Sequence, residues 1–385
     1  MFDDYDQAMN DAQISDQPEL SREDLAYLDW ARKIARRGWG RVHPNPLVGC
    51  VLVLNNQIVG EGYHREFGGP HAEIIALEAA KSKAEGATAY VSLEPCNHEG
   101  KTPPCSQALV QAGIARVVYG VAEPGIKEGG GKDMLSRGGV EVIGPVWDSI
   151  AGRMENPSFF HAQTHGTPYI ALKLALSLDG YIGIRGGVRT RITGVDAERE
   201  VHRLRTGFDA ILIGTETLRV DNPRLTVRMA PHGRRPVRRL VLDARAELPS
   251  DAAIFDDVEL NPLHIFTHQD ASESEITRLE LLGAHVHSVP RTNRGLDLES
   301  IMVVVHELGV QSVLCEGGAK LANSLIRKDL VQRLYLFIAP KTLGAGGIAA
   351  FSDGEETLKW EDFLPSLPPE MHGRDTLIVL DRKSD

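Results

Sequence analysis

Strand-like and helix-like segments alternate along this chain in two successive series, which restricts it to layered α/β folds. The first series opens on a helix that Ser21 and Asp24 would cap, because they have capping-box spacing, and that Gly38 would end. β-Branched runs on either side of Asn55 and Asn56 then predict a hairpin. The chain is therefore expected to begin with one helix and an antiparallel pair of strands.

The rest of the first series predicts helix, strand, helix and strand. Pro70 is placed in the first turn of the helix PHAEIIALEAAKSKAEG, and Gly86 lies after its end. The segment ATAYVSLEP is typical of a buried strand, CSQALVQAGI of a helix and ARVVYGVAEP of another strand. Together these elements predict one α/β domain that reaches about residue 145.

A second series follows Pro168. Its strand-like segments are YIALKLALSLDGYIG, DAILIGTETL, RLVLDA, PLHIFTH, AHVHSVP, SVLCEGG and RLYLFIAP, and helical segments such as VDAEREVHRLRTG and AKLANSLIRKDLV lie between several of them. A chain of 385 residues exceeds what one hydrophobic core usually serves. We therefore predict an acidic, disordered tail over residues 1–20, a first domain over 21–150, a linker over 151–167 and a second domain over 168–385.

Two cysteines, Cys96 and Cys105, lie nine positions apart in the Pro- and Gly-rich stretch EPCNHEGKTPPC, and His71 and Glu73 open the preceding helix. One imidazole and two thiolates are suitable zinc ligands, and three protein ligands leave open the fourth position that a catalytic site needs. Cys105 stands at a predicted helix start, where the helix dipole favours thiolate. Glu73 is then placed to move protons in a hydrolytic reaction.

A closed zinc knuckle completed by His98 is the structural alternative, but it gives no reason for a carboxylate beside the first ligand. The motif H-x-E followed by P-C-x-x-C is typical of nucleobase deaminases, although eight residues, not two, separate the cysteines here. His64 and His98 are interpreted as substrate-contacting or surface residues, and Cys50 and Cys315 as small apolar core residues.

Charge and cysteine content narrow the class of partner. Lys and Arg total 42 and Asp and Glu total 53, so the net charge is −11, which argues against a nucleic acid partner and favours small molecules. The absence of an 18-residue apolar run argues against a membrane span. Four cysteines do not suffice for a disulfide framework, and the N-terminus lacks signal-peptide features, so we expect a cytoplasmic protein.

The stretches GPHAE, ATAYVSLEPCNHEGKTPPC, PYIALKLALSLDG, LRTGFDAILIGTETL and CEGGAKLANSLI resemble the bifunctional deaminase/reductase family of riboflavin biosynthesis. This resemblance runs in order from about residue 25 to 345. It implies a cytidine-deaminase-like three-layer α/β/α domain followed by a dihydrofolate-reductase-like α/β domain. It also implies Zn²⁺ and NADPH as cofactors and a homo-oligomeric state. The implied reactions are deamination of 2,5-diamino-6-ribosylamino-4(3H)-pyrimidinone 5′-phosphate and reduction of its ribosyl side chain to ribityl.

Carried over by position, the resemblance makes His71, Cys96 and Cys105 the zinc ligands and Glu73 the proton donor. Asn45 would orient the pyrimidine edge, although its place between two prolines equally suits a turn residue.

In the second domain, the resemblance implies two sets of ligand contacts. The substrate contacts are Arg205, Leu225, Arg228 and Glu316, of which the two arginines suit a 5′-phosphate. The cofactor contacts are Leu176, Thr217, Asp221, Gly318, Ala319, Lys320, Leu321, Ala322, Asn323 and Ser324. The basic run RRPVRR, residues 234–239, is interpreted as a solvated loop.

This chain departs from the family pattern at two places. The reductase stretch usually written GESxWIT reads GVRTRIT here, so Arg189 and Arg191 replace a serine and a tryptophan. The DPNP loop of the first domain is EPGI, residues 123–126. A deaminase whose reductase-like domain has lost its chemistry is therefore one alternative. A nucleic-acid base deaminase and a non-catalytic zinc-stabilised binding protein are the others.

Overall fold

The computed structural model describes residues 20–98, 103–125, 130–147, 155–187, 189–228, 236–351 and 360–383, so nearly all of the predicted acidic tail lies outside it. The chain divides into two compact units, Met1–Asn156 and Pro157–Asp385. No helix in the described ranges has the length and apolar character needed to cross a bilayer.

Within its described residues, the first unit contains one mixed sheet with helices packed on it. The strand order is β2-β1-β3-β4-β5; β1 pairs antiparallel with β2 and β3, and β3, β4 and β5 are parallel. The elements are α1 (Arg22–Ala35), β1 (Gly49–Leu54), β2 (Gln57–Tyr63), α2 (Ala72–Ala80), β3 (Thr88–Leu93), α3 (Cys105–Gln111), β4 (Arg116–Val121), α4 (Gly131–Arg137) and β5 (Glu141–Ile143).

The N-terminal signal for α1 and the signal for the hairpin are confirmed, whereas the α-helix ends at Ala35 and a 3₁₀ segment continues to Gly38. Ser21 and Asp24 form a reciprocal capping box at the start of α1. Asn55 and Asn56 both have positive φ, 50° and 60°, as a two-residue turn between β1 and β2 requires.

The prediction for α2 is wrong at both ends. Pro70 lies outside the helix, because His71 is the N-cap. The α-helix also ends at Ala80, since Lys81 adopts φ 55° and interrupts the hydrogen-bond ladder, and a short 3₁₀ segment follows. The pair α4 and β5, which the sequence pattern did not predict, completes the sheet.

The second unit is built on a larger sheet, with strand order β11-β10-β9-β8-β14-β6-β15-β18-β17 among the described residues. The first seven strands of this order, from β11 through to β15, are parallel to one another. The last two, β18 and β17, form an antiparallel edge. The elements are α5 (Pro157–Thr164), β6 (Tyr169–Ser177), β7 (Tyr181–Ile184), α6 (Val195–Thr206), β8 (Ala210–Gly214), α7 (Thr215–Asp221), β9 (Arg238–Leu242), β10 (Leu263–His268), α8 (Glu273–Leu281), β11 (His285–Val289), β12 (Arg291–Thr292), β13 (Gly295–Leu296), α9 (Leu298–Glu307), β14 (Ser312–Cys315), α10 (Ala319–Arg327), β15 (Arg333–Ala339), β16 (Gly347–Ala349), β17 (Phe363–His372) and β18 (Asp375–Arg382).

Two predictions for the second series need correction. The segment DAILIGTETL is not one strand, because β8 ends at Gly214 and α7 begins at Thr215. The run RRPVRR is not a solvated loop at its described end, since Arg239 lies in β9 with 0% of its surface exposed. Its guanidinium donates to Asp257 and to the carbonyls of Arg224, Ile254 and Asn261, which offsets the cost of burying the charge.

The central strands of this sheet are continuous apolar runs, as strands covered on both faces must be. Ile211, Leu212 and Leu314 are among the residues with no exposed surface. In such sheets ligands bind beyond the carboxyl ends of the parallel strands, which here are the ends of β8, β9 and β14.

Candidate active sites

The three predicted zinc ligands meet in the first unit. His71 is the N-cap of α2, Cys105 is the first residue of α3, and Cys96 lies in the loop after β3. His71 Nδ1 is 3.2 Å from Cys105 Sγ and 3.5 Å from Cys96 Sγ. All three donor atoms lie within 4.8 Å of one another.

This donor set fits zinc. Zn–S and Zn–N bonds at a tetrahedral ion would place nitrogen and sulfur about 3.6 Å apart, close to the separations found. Of the described residues, these three make up the one cluster of metal-ligating side chains that meets this spacing. His98, the candidate for a closed knuckle, does not belong to it, so none of the residues that the structure describes supplies a fourth ligand.

Glu73 is buried beside the ligand set. Its side chain belongs to the second residue of α2, one position after Ala72, and the residue is 3% exposed. Burial raises the pKa of Glu73 to about 7, and the negative charge of Cys96 adds to the increase. The start of a helix thus brings a ligand and a carboxylate two residues apart to the same site, which a helix interior would not allow.

His64 connects Asn45 to this site and is not a surface residue, since only 3% of it is exposed. Its Nδ1 lies 3.0 Å from the carbonyl oxygen of Pro70, which can only accept, so Nδ1 carries the proton. Nε2 is therefore the acceptor for Asn45 Nδ2, at 3.1 Å. These two hydrogen bonds of His64 determine which atom of the Asn45 side-chain amide is the nitrogen and which is the oxygen.

The second unit contains a cavity of about 1420 Å³ at the carboxyl ends of its parallel strands. Most of the predicted substrate and cofactor residues line it: Arg205, Thr217, Asp221, Leu225, Arg228, Glu316, Gly318, Ala319, Lys320, Leu321, Asn323 and Ser324. Leu176 and Ala322 do not, because their side chains are buried in the core. A contact through the Leu176 backbone stays a prediction.

Arg205 and Glu316 form a two-pronged ion pair in the cavity wall, at 2.6 and 2.9 Å. Their side chains are 12% and 10% exposed, and Arg205 also donates to the carbonyl oxygen of Thr226. Burial would raise the pKa of Glu316, but the Arg205 guanidinium outweighs it and the net effect is a decrease. Three of the five donors of Arg205 are thus occupied, whereas Arg228 is exposed at the cavity surface.

The glycine pair after β14 is held by α7. The backbone N–H of Gly318 donates to Thr217 Oγ1 at 3.1 Å, which ties the turn before α10 to the helix after β8. Asn323 uses its amide nitrogen on the carbonyls of Ala319 and Ala350, so its position supports the turn. Asp221, at the end of α7, has a pKa raised by burial.

The two departures from the family pattern, Arg189 and Arg191, both line the cavity. Arg191 pairs with Glu198 at 2.8 Å, and Arg189 lies 3.7 Å from Asp221. Both arginines are largely exposed, so they sit at the cavity surface without filling its interior.

Lys173 is a cavity residue that the sequence pattern did not single out. It lies on β6, its Nζ is 5.9 Å from the centre of the Phe337 ring, and burial lowers its pKa. His202 of α6 also lines the cavity, and burial lowers its pKa to about 4. The sequence signal that could have identified Lys173 is the presence of a lysine inside the otherwise apolar run YIALKLALS.

Both halves match family models. Residues 21–121 match the cytidine and deoxycytidylate deaminase zinc-binding region, and residues 168–363 match the RibD C-terminal domain. Fold and sites therefore define a zinc-type deaminase followed by a dihydrofolate-reductase-like reductase domain that implies a nicotinamide cofactor.

Relatives that match most of the chain narrow this class to one family. The chain is 38% identical to riboflavin biosynthesis protein RibD of Escherichia coli over 335 residues, covering 84% of this chain and 89% of that protein. It is 38% identical to RibD of Actinobacillus pleuropneumoniae, covering 83% and 85%. The structure of Acinetobacter baumannii RibD superimposes with a TM-score of 0.81 at 31% identity, covering 94% of this chain and 99% of that one.

The chain belongs to the RibD family, the bifunctional deaminases and reductases of riboflavin biosynthesis. A related Thermotoga maritima structure, with TM-score 0.77 and 30% identity, covers 94% of this chain and 99% of its own. That protein is named a diaminohydroxyphosphoribosylaminopyrimidine deaminase and 5-amino-6-(5-phosphoribosylamino)uracil reductase.

Proposed function

We propose that the first unit hydrolyses the 2-amino group of 2,5-diamino-6-ribosylamino-4(3H)-pyrimidinone 5′-phosphate and that the second reduces the ribosyl group of the product to ribityl. The convergence of His71, Cys96 and Cys105 beside the buried Glu73 carries the first half of this proposal. The substrate named for the Thermotoga relative supports the choice of pyrimidine. The cavity of the second unit, which most of the predicted substrate and cofactor residues line, supports the second half.

When bound, zinc supplies a Lewis acid for the attacking water, and NADPH supplies the hydride for the reduction. Glu73 takes a proton from that water and returns one to the departing amino group. Asn45, held by His64, presents its remaining amide groups to the pyrimidine edge. In the second unit, Arg228 is available for the 5′-phosphate, and Lys173 is suited to donate a proton to the sugar oxygen.

Leu225, Arg205 and Glu316, which line the cavity, are proposed to contact the substrate. Thr217, Asp221 and the turn at Gly318 are proposed to receive the cofactor. We also propose a homo-oligomer in the cytoplasm, a reducing compartment in which the four cysteines, all free thiols in this structure, would persist.

Metal analysis with two separate assays tests this function. Purified protein is expected to contain one zinc per chain, to release ammonia from the diaminopyrimidine and to oxidise NADPH only with the deaminated product. Cys105→Ser should lose most of the zinc and the ammonia release, while NADPH oxidation continues. Cys315→Ala is the control for zinc content and ammonia release, because that thiol lies in β14 of the second unit and belongs to no metal-ligating cluster of the described residues. Ammonia release without NADPH oxidation would favour the deaminase-only alternative.

Substitution of His64 tests the role assigned to Asn45. We expect His64→Phe to raise the deaminase KM about tenfold, because one hydrogen bond that orients the amide is lost. Zinc content should not change, since His64 is not a ligand. His64→Gln, which can still accept a hydrogen bond, should recover part of the loss. An unchanged KM in His64→Phe would remove Asn45 from the substrate site.

A further inference from the structure

The loop that carries Asn45 is held by hydrogen bonds at several points along its length. It comprises residues 39–48, between the 3₁₀ segment after α1 and the start of β1. The Asn45 side chain contacts His64, and the carbonyl oxygen of Val48 accepts from the backbone N–H of the same histidine at 2.9 Å. Leu47, which lies between these two points, is where a distant part of the chain joins the loop.

The side chain of Asn156 forms a pair of hydrogen bonds with the backbone of Leu47. The Leu47 N–H donates to Asn156 Oδ1 at 2.7 Å, and Asn156 Nδ2 donates to the Leu47 carbonyl oxygen at 3.0 Å. An amide that both accepts from and donates to one residue reproduces the pairing that a neighbouring antiparallel strand would provide. Since only 7% of Leu47 is exposed, water has little access to replace these two bonds.

The preceding residue, Glu155, ties the same segment to the end of α1. Its two carboxylate oxygens accept from Arg36 Nε and Nη2 at 3.1 and 2.6 Å, and Arg32 Nη1 lies 3.9 Å from the carboxylate. The Glu155 side chain is 17% exposed, so this two-pronged ion pair is partly shielded from water. Residues 155–156 therefore brace both the end of α1 and the loop that follows it.

This segment lies outside both regions that match family models. The match to the deaminase zinc-binding region covers residues 21–121, and the match to the RibD C-terminal domain covers residues 168–363. Asn156 nevertheless belongs to the first compact unit and is its last residue. The first unit thus ends at the residue that hydrogen-bonds the loop of Asn45.

We propose that Asn156 is a positioning residue for deamination, which acts through Asn45 by fixing the loop that presents this amide to the pyrimidine. The inference rests on the proposed function, in which Asn45 contacts the pyrimidine edge. His64 determines which way the Asn45 amide faces, whereas Asn156 determines where the loop lies. A loop that is ordered before substrate arrives loses less entropy on binding, so the contribution is to substrate affinity.

Deaminase kinetics of full-chain variants test this role. Asn156→Ala is expected to raise the KM for the diaminopyrimidine about tenfold and to change kcat less than about twofold, because two hydrogen bonds to the loop are lost. Asn156→Leu, which keeps the size of the side chain but has no polar group, should show the same increase in KM. Gln111→Ala, which removes an exposed amide of α3, should behave as wild type. Zinc content and NADPH oxidation should equal those of wild type in every variant.

A double-variant cycle with Asn45→Ala separates positioning from a general loss of structure. If Asn156 acts through Asn45, Asn156→Ala should raise the KM less than about twofold once residue 45 is already alanine. Increases in KM that multiply in the double variant would overturn the proposal, because the two residues would then act independently.

Three further results would also overturn it. An unchanged KM in Asn156→Ala would mean that the loop keeps its position without the amide, and a wild-type KM in Asn156→Leu would assign the effect to packing. Loss of zinc, or a fall in kcat without a change in KM, would give Asn156 a merely structural role. If wild type and Gln111→Ala both release no ammonia, the proposed deamination fails and the role of Asn156 fails with it.

Discussion

Replacement of Glu73 by glutamine is expected to lower the rate of ammonia release by about three orders of magnitude, with zinc still bound. The amide has the size of the carboxylate but cannot accept a proton from water and return it to the leaving amine. Because the proposed zinc ligands are His71, Cys96 and Cys105, the substitution leaves this set of side chains complete. Steady-state deaminase rates and zinc content measured on the same preparation provide the comparison.

Glu78→Gln is the matched control, since this residue is an exposed glutamate of the same helix, α2. It should leave both deamination and zinc content unchanged. NADPH oxidation with the deaminated product should also be the same in both variants. A Glu73→Gln protein that deaminates at the wild-type rate would support a non-catalytic zinc protein, and one that lost its zinc would assign Glu73 a structural role.

The convergence of the candidate zinc ligands could be predicted from the sequence because their residue types and their positions are both encoded locally. Few residue types bind zinc, and prolines beside Cys96 and Cys105 mark the ends of elements, where side chains from different segments meet. His71 confirms this, since it is the N-cap of α2 and no part of the helix interior. The sequence pattern misplaced both ends of α2, and the assignment of zinc to these side chains stays a prediction.

Burial of charge in the second unit could not be predicted in the same way. Arg239 occupies a run of basic residues that is typical of a solvated loop, yet its partners, three backbone carbonyls and the Asp257 carboxylate, lie 15 to 22 residues away. The Arg205–Glu316 pair joins residues 111 apart. A sequence pattern shows which residue types are present, but such pairs form only when distant strands are brought together.

The start of α7 was missed because the polar stretch that marks it is short. Gly214, Thr215, Glu216 and Thr217 follow the apolar run of β8 and indicate its end, but such a stretch is as typical of a loop as of a helix start. This short helix supplies Thr217 and Asp221 to the cavity.

Glu316→Ala is expected to destabilise the second unit by about 3–5 kcal/mol and to abolish NADPH oxidation. The substitution leaves Arg205 buried without its carboxylate, beside the buried Lys173. An uncompensated buried charge costs far more than a lost surface ion pair. Differential scanning calorimetry of the full chain measures the loss, and zinc content and ammonia release show that the first unit is intact.

A double variant separates stability from chemistry. Arg205→Met combined with Glu316→Met removes both charges and keeps apolar volume in the cavity wall, so most of the stability should return. NADPH oxidation should not return, because the cavity would still lack the two polar side chains that are proposed to contact the substrate. If the double variant were as unstable as Glu316→Ala, unpaired charge would not be the cause. If it regained NADPH oxidation, neither residue would take part in binding or reducing the substrate.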